Sequence, residues 1–499
     1  MPSTLASALV FVTSGAVLVL EILAGRLLAP YVGVTLETFT AIIGVVLAAI
    51  AIGTWLGGVI ADRADPRRLL PAVLVLGGAT AIASVPVIRA FGPAATNAPG
   101  TAVVLATLAF FVPASVLSAA SPMVVKIQLD DLANTGHVVG RLSAIGTAGA
   151  LFGVFVTGCV LVAAFPTTPV VVAVGGGLVV GGVALALYFG RRSPGAMSPG
   201  LMAGGALLAL ASTGVAALWS GPCEVETAYF CARVEVDVER TSGRVLVLDT
   251  LRQSYVDLDD PTHLEFDYVA TFGDVVDEVA SGQGTAADTG PDVIHIGGGG
   301  FTMSGYVDAV YPASTNLVLE LDAELVEFAR RELGLDPSER MTIRTGDART
   351  GLLDVPAESA DVVLGDAFGG LAVPWHLATQ EFTAEIQRTL RPGGVYAINV
   401  IDFPPMDFLR AEVATVLSVF DHVAIVGTPD RLAGERGGNV VVLASDSALP
   451  IATLLDRFAA RGSTDTVVSD PDDLDDFIGD AAVLTDEFAP VDQLLTTGR

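Results

Sequence analysis

The sequence predicts two unlike halves: a multi-pass bundle of membrane-spanning α-helices over residues 1–220, then a short β region (221–260) and an open α/β domain (261–499). Three observations predict this. Seven apolar stretches of spanning length fill the first 220 residues. Charge is nearly confined to the remainder: residues 1–220 hold six acidic and nine basic side chains, leaving 49 acidic and 17 basic, a net of −32, for residues 221–499. From Val293 onward, short apolar strands alternate with helical patterns, as in a parallel sheet covered on both faces.

The spans fall near residues 5–29, 38–60, 69–90, 101–125, 141–164, 168–189 and 199–219, each long enough to cross ~30 Å of hydrocarbon. Gly and Ala are frequent within them and suit close helix packing in lipid. The first span is long, has no basic residue before it and is followed by others, so it reads as an anchor and not a cleaved signal. Glu21 and Arg26 lie inside it, where an ionisable group is costly and marks either a function or an interface. Arg63, Arg67 and Arg68 follow the second span, Arg141 the fourth, and Arg191 with Arg192 the sixth, while the alternate connections carry little beyond Arg89. The even-numbered loops are therefore expected in the cytoplasm, and seven crossings put the acidic domain outside. Cys223 and Cys231, just past the last span, could pair only in an oxidising compartment, which agrees.

The remaining composition narrows the chemistry. Five histidines and three cysteines show no metal-ligand spacing, so no metal is expected. Lys126 is the only lysine. The acidic, arginine-using soluble half fits a salt-adapted composition, or a field that attracts a cationic substrate. Nucleic acid is not an expected partner, because its phosphates would be repelled.

In the soluble half, alternating residues predict a hairpin of strands 232–238 and 244–248 about Thr241-Ser242-Gly243, and a third strand over 254–258. Asp260-Pro261-Thr262 reads as the start of a helix over 262–280. Seven strands are expected next: 293–296, 317–319, 341–344, 362–364, 395–400, 422–426 and 439–443, the last two a hairpin. Helices 323–332, 379–390 and 406–419 intervene, and Arg391-Pro392-Gly393-Gly394 reads as a turn. This is a Rossmann-like, methyltransferase-type order. The acidic run 469–480 reads as a solvated surface.

Four of these strands end in groups suited to an adenosine-type ligand. Strand 293–296 runs into four glycines, 297–300, which permit a tight turn and let backbone N–H groups approach a ligand. Glu320 ends the second strand, where a carboxylate can accept from both ribose hydroxyls. Asp347 ends the third and could take an adenine amino edge; Asp366 ends the fourth and could accept a proton from an amine. Asp322 reads as a helix cap or an aid to Glu320, His295 as a hydrogen-bonded core residue or a ligand, and Tyr255 as a sheet residue or a gate to an amine pocket. His376 and Trp375 either line a substrate pocket or pack a loop.

These motifs resemble the polyamine aminopropyltransferases, of which spermidine synthase is the best known, over roughly residues 230–450. The whole chain is similar to a membrane-fused bacterial subgroup, since Asp62-Arg63-Ala64-Asp65-Pro66-Arg67-Arg68 resembles the major facilitator signature. The resemblance implies decarboxylated S-adenosylmethionine as co-substrate, methylthioadenosine as product, a small amine such as putrescine as acceptor, a bilayer around the first half, and allows a homodimer. Leu248-Asp249-Thr250-Leu251-Arg252-Gln253 matches L-D-G-x-x-Q, which gives Gln253 a contact with the thioadenosine. Gly297, Gly298 and Gly299 match the glycine loop, Glu320 the ribose carboxylate, Asp347 with Ala348 the adenine contact, and Asp366 the general base of D-[ST]-x-D-P. His263 and Glu265, with Tyr255, would hold the amine.

Two departures stand out. The acid of G-G-G-D-G-G is Gly300 here, and the second acid of the catalytic loop is Gly369. Both lost carboxylates would face cationic groups, whose burial without a partner is costly. Three functions are carried forward: aminopropyl transfer, methyl transfer from intact S-adenosylmethionine, and a transporter or sensor whose soluble domain binds nucleosides without turnover. Cytosolic synthesis of adenosyl donors conflicts with an external soluble domain.

Overall fold

The structure is a computed structural model; it describes residues 1–34, 36–95, 100–129, 135–190, 199–219, 221–282 and 290–495. Arg191 and Arg192, used above for orientation, lie outside the described residues, as does most of the loop before Val293. The chain forms two compact units, one of residues 1–233 with 248–250 and one of residues 234–247 with 251–499.

Among its described residues the first unit contains seven helices long and apolar enough to cross a membrane: α1 (Ser3–Val32), α2 (Leu36–Arg63), α3 (Pro66–Phe91), α4 (Thr101–Gln128), α5 (Thr135–Ala164), α6 (Thr167–Gly190) and α7 (Pro199–Leu218). Asp65 explains the sharp start of α3, since its side chain accepts from the Arg67 N–H at 3.0 Å while Pro66 needs no acceptor. Glycine permits the tightest contacts. A Cβ on Gly149 of α5 would meet the Phe11 carbonyl of α1 at 2.2 Å, and one on Gly78 of α3 would meet the Gly175 carbonyl of α6 at 2.3 Å. This unit also holds strand β1 (Val225–Glu226) and the start of β2 (Cys231–Val236), paired antiparallel and tied by a Cys223–Cys231 disulfide with Cα atoms 5.1 Å apart. Strand β1 was not expected from the sequence. Cys159 is a free thiol in α5.

In the second unit, β3 (Gly243–Leu248) and β4 (Leu251–Asp257) precede helix α8 (Asp267–Gly282). This helix begins five residues later than predicted. Asp260 does not cap it; its carboxylate folds back onto the Thr262 N–H and hydroxyl, at 3.2 and 2.6 Å, and makes a local turn.

The main sheet comprises β5 (Val293–Ile296), β6 (Asn316–Glu320), β7 (Met341–Thr345), β8 (Ala360–Gly365), β9 (Leu390–Asp402), β10 (His422–Gly427), β11 (Gly438–Ser445) and β12 (Thr466–Val468). Their order is β12-β10-β11-β9-β8-β5-β6-β7. It has eight strands where seven were expected, because β12 adds antiparallel to β10 at the edge. The predicted turn at residues 391–394 is instead a bulge within β9. Ala360 pairs with Leu390 and Val362 with Val395, so the extra residues loop out where Gly393 takes a positive φ. Helices α9 (Thr302–Val310), α10 (Ala323–Glu332), α11 (Ala348–Leu353), α12 (Gln380–Thr389) and α13 (Asp407–Leu417) connect the strands.

Both sheet faces are covered. Ile294, Ile296, Val363 and Ile398 join one core with Phe408 and Leu409 of α13, while Val293, Val362, Leu364 and Ala397 join the other with Phe272 and Val276 of α8. The continuous apolar strands seen in the sequence follow from this double burial. The acidic run at 469–480 includes a short helix, Pro471–Ile478, that buries Leu474 in the first of these cores.

Candidate functional site

Strand register brings the four sequence signals to one level. Ile296 pairs with Leu319 on one side and Gly365 on the other, and Glu320 pairs with Thr345. Gly297, Glu320, Gly346 and Asp366 therefore emerge together at the carboxyl edge. The strand order reverses beside β5, with β6 and β8 as its neighbours, which is where open α/β sheets bind ligands.

Glycine is required where β5 ends. Gly297 has φ 95° and an added Cβ would lie 2.5 Å from the Asp366 carbonyl oxygen; Gly299 has φ 51°. Glu320 organises this turn. One carboxylate oxygen accepts from Gly298 and Gly299 N–H at 2.7 and 3.2 Å, and the other accepts from Asp322 N–H at 2.9 Å. Burial pushes the Glu320 carboxyl up, against the pull of those three N–H groups. Asp322 caps α10, as expected from sequence.

At the tip of β8, Asp366 retains some exposure. Its two oxygens accept from the Tyr268 hydroxyl at 3.1 Å and the Asn399 amide at 2.9 Å. Asn399 is oriented in turn by Asn439, whose amide donates to its carbonyl at 3.0 Å. Burial raises the Asp366 carboxyl to about 6, opposed by the hydrogen bonds from Asn399 and Tyr268. The Tyr268 hydroxyl is pushed well above its ordinary range by burial and by Asp366. A cleft lined by Ser254, Tyr268, Gly297, Gly298, Thr302 and Asp366 joins the glycine turn to this carboxylate.

The other predicted residues are placed differently. Asp347 caps α11 through Thr350 N–H at 2.9 Å and gives its second oxygen to His376 Nε2 at 2.8 Å. Burial would raise its carboxyl, but these partners hold it below the usual range. Ala348 is buried at the start of α11. Gln253 is half-buried on β4, beside Ser254. Tyr255 packs in the small β region with its hydroxyl on Asp237 at 2.9 Å; burial, with Asp237, pushes it up to about 12. His263 and Glu265 bond each other at 3.0 Å, with Arg240 on the second imidazole nitrogen. Tyr255, His263 and Glu265 are not among the residues lining the cleft around Asp366. His295 is a core residue bonded to Asn316 at 2.8 Å, and burial lowers it to about 4. No cluster of three metal-ligating side chains occurs among the described residues.

Sequence reasoning missed Tyr268, Ser254 and Asn399. Asn399 was legible as the one amide in the apolar run Val395–Val400. Tyr268 carried no periodic signal, because the misplaced helix start hid its position in the first turn. Ser254 accepts from Gly300 N–H at 2.9 Å. A Cβ on Gly300 would lie 2.6 Å from Ser254 Cβ, so serine occupies the space a longer side chain at position 300 would need.

A family model described as a methyltransferase domain matches residues 294–398, the segment from β5 into β9. The polyamine aminopropyltransferase of Vibrio vulnificus is 29% identical over 219 residues, 40% of this chain and 69% of that protein. The chain resembles the polyamine aminopropyltransferases. A second such protein, from Chromobacterium violaceum, is 25% identical over 193 residues, 38% of this chain and 68% of its own length. Among solved structures, a probable spermidine synthase from Corynebacterium glutamicum matches 55% of this chain and 98% of its own, with 28% identity and a TM-score of 0.49.

Proposed function

We propose that the second unit transfers an aminopropyl group from decarboxylated S-adenosylmethionine to a small amine, with Asp366 as general base. The observation that carries this reading is the half-buried carboxylate at a strand tip, raised to about 6 and oriented by Tyr268 and Asn399 beside a glycine turn. Glycine loop and buried Glu320 suit an adenosyl group: the backbone at Gly297 can approach it, and Glu320 sits where a ribose would lie. By its match in sequence, Asp347 is assigned the base edge of the nucleoside.

In the reaction, the amine nitrogen forms a bond to the aminopropyl carbon and the carbon–sulfur bond breaks. Its electron pair returns to sulfur and methylthioadenosine leaves. The proton lost from nitrogen passes to Asp366, which is ionised above pH about 6 and so can accept it at neutral pH. Much of the acceleration comes from aligning the two substrates.

Methyl transfer from intact S-adenosylmethionine is the second reading, favoured by one observation. Ser254 fills the space beside Gly300, leaving no carboxylate there to receive an aminopropyl ammonium or repel a methionine carboxylate. The full-length protein, given decarboxylated donor and putrescine, should release methylthioadenosine, and Asp366→Asn should stop it. Adenosylhomocysteine from intact donor, with no methylthioadenosine, overturns the first reading in favour of the second.

We also assign the Cys223–Cys231 hairpin to the extracytoplasmic side. This reading is supported by the disulfide and by Arg63, Arg67, Arg68 and Arg141, which lie at the helix ends beside the connections of opposite parity.

A further inference from the structure

Residues 367–376 run from the proposed general base to the far side of the parallel strands. The segment begins after Asp366, at the tip of β8, and ends on His376, whose Nε2 lies 2.8 Å from Asp347 beyond the tip of β7. Strands β5 and β6 lie between β8 and β7, so the segment spans three strand spacings, about 14 Å along the carboxyl edge. Gly297 and Glu320 stand at the strand tips within that interval. Val373 and Leu377 are buried in the first of the two cores, which fixes the segment along one side of the edge.

Trp375 sits on this rim with its backbone fixed and its side chain uncovered. It opens a single 3-10 turn, Trp375–Leu377, in which Leu377 N–H donates to the Pro374 carbonyl at 2.8 Å and Ala378 N–H to the Trp375 carbonyl at 3.1 Å. The neighbouring His376 carbonyl accepts from Arg349 at 3.1 Å, and Arg349 donates to both oxygens of Asp486 at 2.6 and 2.5 Å. The indole, by contrast, is 52% exposed, and its ring contact is edge-on to His376 at 5.7 Å. Val373, Leu377 and Ala378 already pack the loop, so Trp375 is not needed for that. A large aromatic left in water beside polar acceptors marks a contact surface.

Leu321, the residue after Glu320, is exposed as well. Each carboxylate assigned to the nucleoside, Glu320 for the ribose and Asp347 for the base, thus has an uncovered apolar side chain close by in the chain or through His376. That is the composition of a slot for a flat ring with a polar edge: carboxylates for its N–H groups, apolar surface for its faces.

On the adenosyl reading of the glycine turn and Glu320, we propose that Trp375 stacks on the purine of the bound nucleoside and makes the site select purine over pyrimidine. A carboxylate accepts equally from the amino group of adenine or of cytosine, so Asp347 does not tell the two apart. An indole face does, because the two-ring base offers it the larger overlap.

The chain has three tryptophans, Trp55, Trp219 and Trp375, and only Trp375 lies in the second unit. Its fluorescence therefore reports on this site against a constant background from the other two. The full-length protein in detergent would be titrated with methylthioadenosine, with binding followed by calorimetry and by indole emission together. Binding should quench part of the emission, and Trp375→Phe should abolish the quench while keeping most of the affinity. Trp375→Ala should weaken binding roughly five- to a hundredfold and narrow the preference for methylthioadenosine over methylthiocytidine. Its thermal unfolding should match the wild type, since the indole is half in water, which separates lost stacking from a displaced loop. Calorimetric binding with unchanged emission, or a Trp375→Ala protein with wild-type affinity and purine preference, overturns the role of Trp375 and leaves the adenosyl site standing. No binding of methylthioadenosine at all overturns the adenosyl reading, and the stacking with it.

Discussion

Replacing Asp366 by Asn should cost activity and raise stability at once. The carboxyl rises from an ordinary 3.8 to about 6, so its neutral form is favoured in the folded state. The sign follows from linkage. Below pH ~4 the group is protonated in both states and costs nothing. Between pH about 4 and 6 the unfolded chain ionises first, and the folded protein loses stability. Above 6 the full penalty holds, of order 3 kcal/mol for a shift of about two units. Asn carries no charge and avoids it.

Part of that gain is lost. Asn can accept from Asn399 with its oxygen, but its amide must then donate to the Tyr268 hydroxyl, which gives up its own acceptor. A lost hydrogen bond costs about 1 kcal/mol, leaving a net gain of roughly 2 kcal/mol at pH 8. For a unit of this size that raises Tm by roughly 4–8 °C. Turnover should fall by roughly 10²–10⁴, the usual contribution of a general base. The assay pairs methylthioadenosine release with thermal unfolding of the full-length protein at pH 4 and pH 8. A variant that is active, or that gains no stability at pH 8 over pH 4, refutes the assignment of Asp366 as a desolvated base.

Three further outcomes are expected. Tyr268→Phe removes a donor to Asp366 and lifts that carboxyl further, so the acidic limb of the pH–rate profile should move to higher pH; an unmoved limb counts against the contact. Glu412 on α13 is buried, has one oxygen without a partner, and burial raises it to about 8. The wild type should therefore lose further stability as pH rises from about 6 to 8, beyond the range where Asp366 titrates and by a few kcal/mol at most, whereas Glu412→Gln should be flat from pH about 6 to 8 in pH-dependent unfolding. Finally, if the proposed external side is right, Cys223 and Cys231 in intact cells should resist alkylation until an impermeant reductant is added; labelling by impermeant maleimide without reductant would contradict their pairing, and none after reductant would contradict the proposed side.

Much of this architecture was legible because its signals are repeated. Seven apolar spans, and strands such as 293–296 and 362–364 that are apolar on both faces, leave little choice of environment. The acids at 320, 347 and 366 were legible because each directly follows such a strand. What was hidden depends on pairing across long sequence distances. Strand β12 is three residues long and exists only by its bonds to β10, and β1 is two residues beside the disulfide. Residues 391–394 carry every mark of a turn, yet neighbouring strands hold them in the sheet as a bulge. Tyr268 and Asn399 reach Asp366 from positions 98 and 33 residues away. A local pattern cannot announce such a meeting.

The identity of the donor turns on one crowded contact. Gly300→Asp alone should be poorly tolerated, because the new Cβ would lie 2.6 Å from Ser254 Cβ and 3.2 Å from its hydroxyl; overpacking of this kind costs about 1–3 kcal/mol. Pairing it with Ser254→Gly removes both contacts and leaves Val256 Cγ2 at 3.3 Å, close enough to need only a small shift. The Gly300→Asp/Ser254→Gly double variant then carries a carboxylate in the glycine loop. An aminopropyl ammonium would gain an ionic partner there, while the carboxylate of intact S-adenosylmethionine would be repelled. If the cleft accommodates the aminopropyl arm beside residue 300, KM for the decarboxylated donor should fall roughly tenfold and binding of the intact donor should weaken, measured side by side. Should both affinities fall together, the arm does not lie against this loop, and the absence of an acid at 300 says nothing about which sulfonium the site prefers.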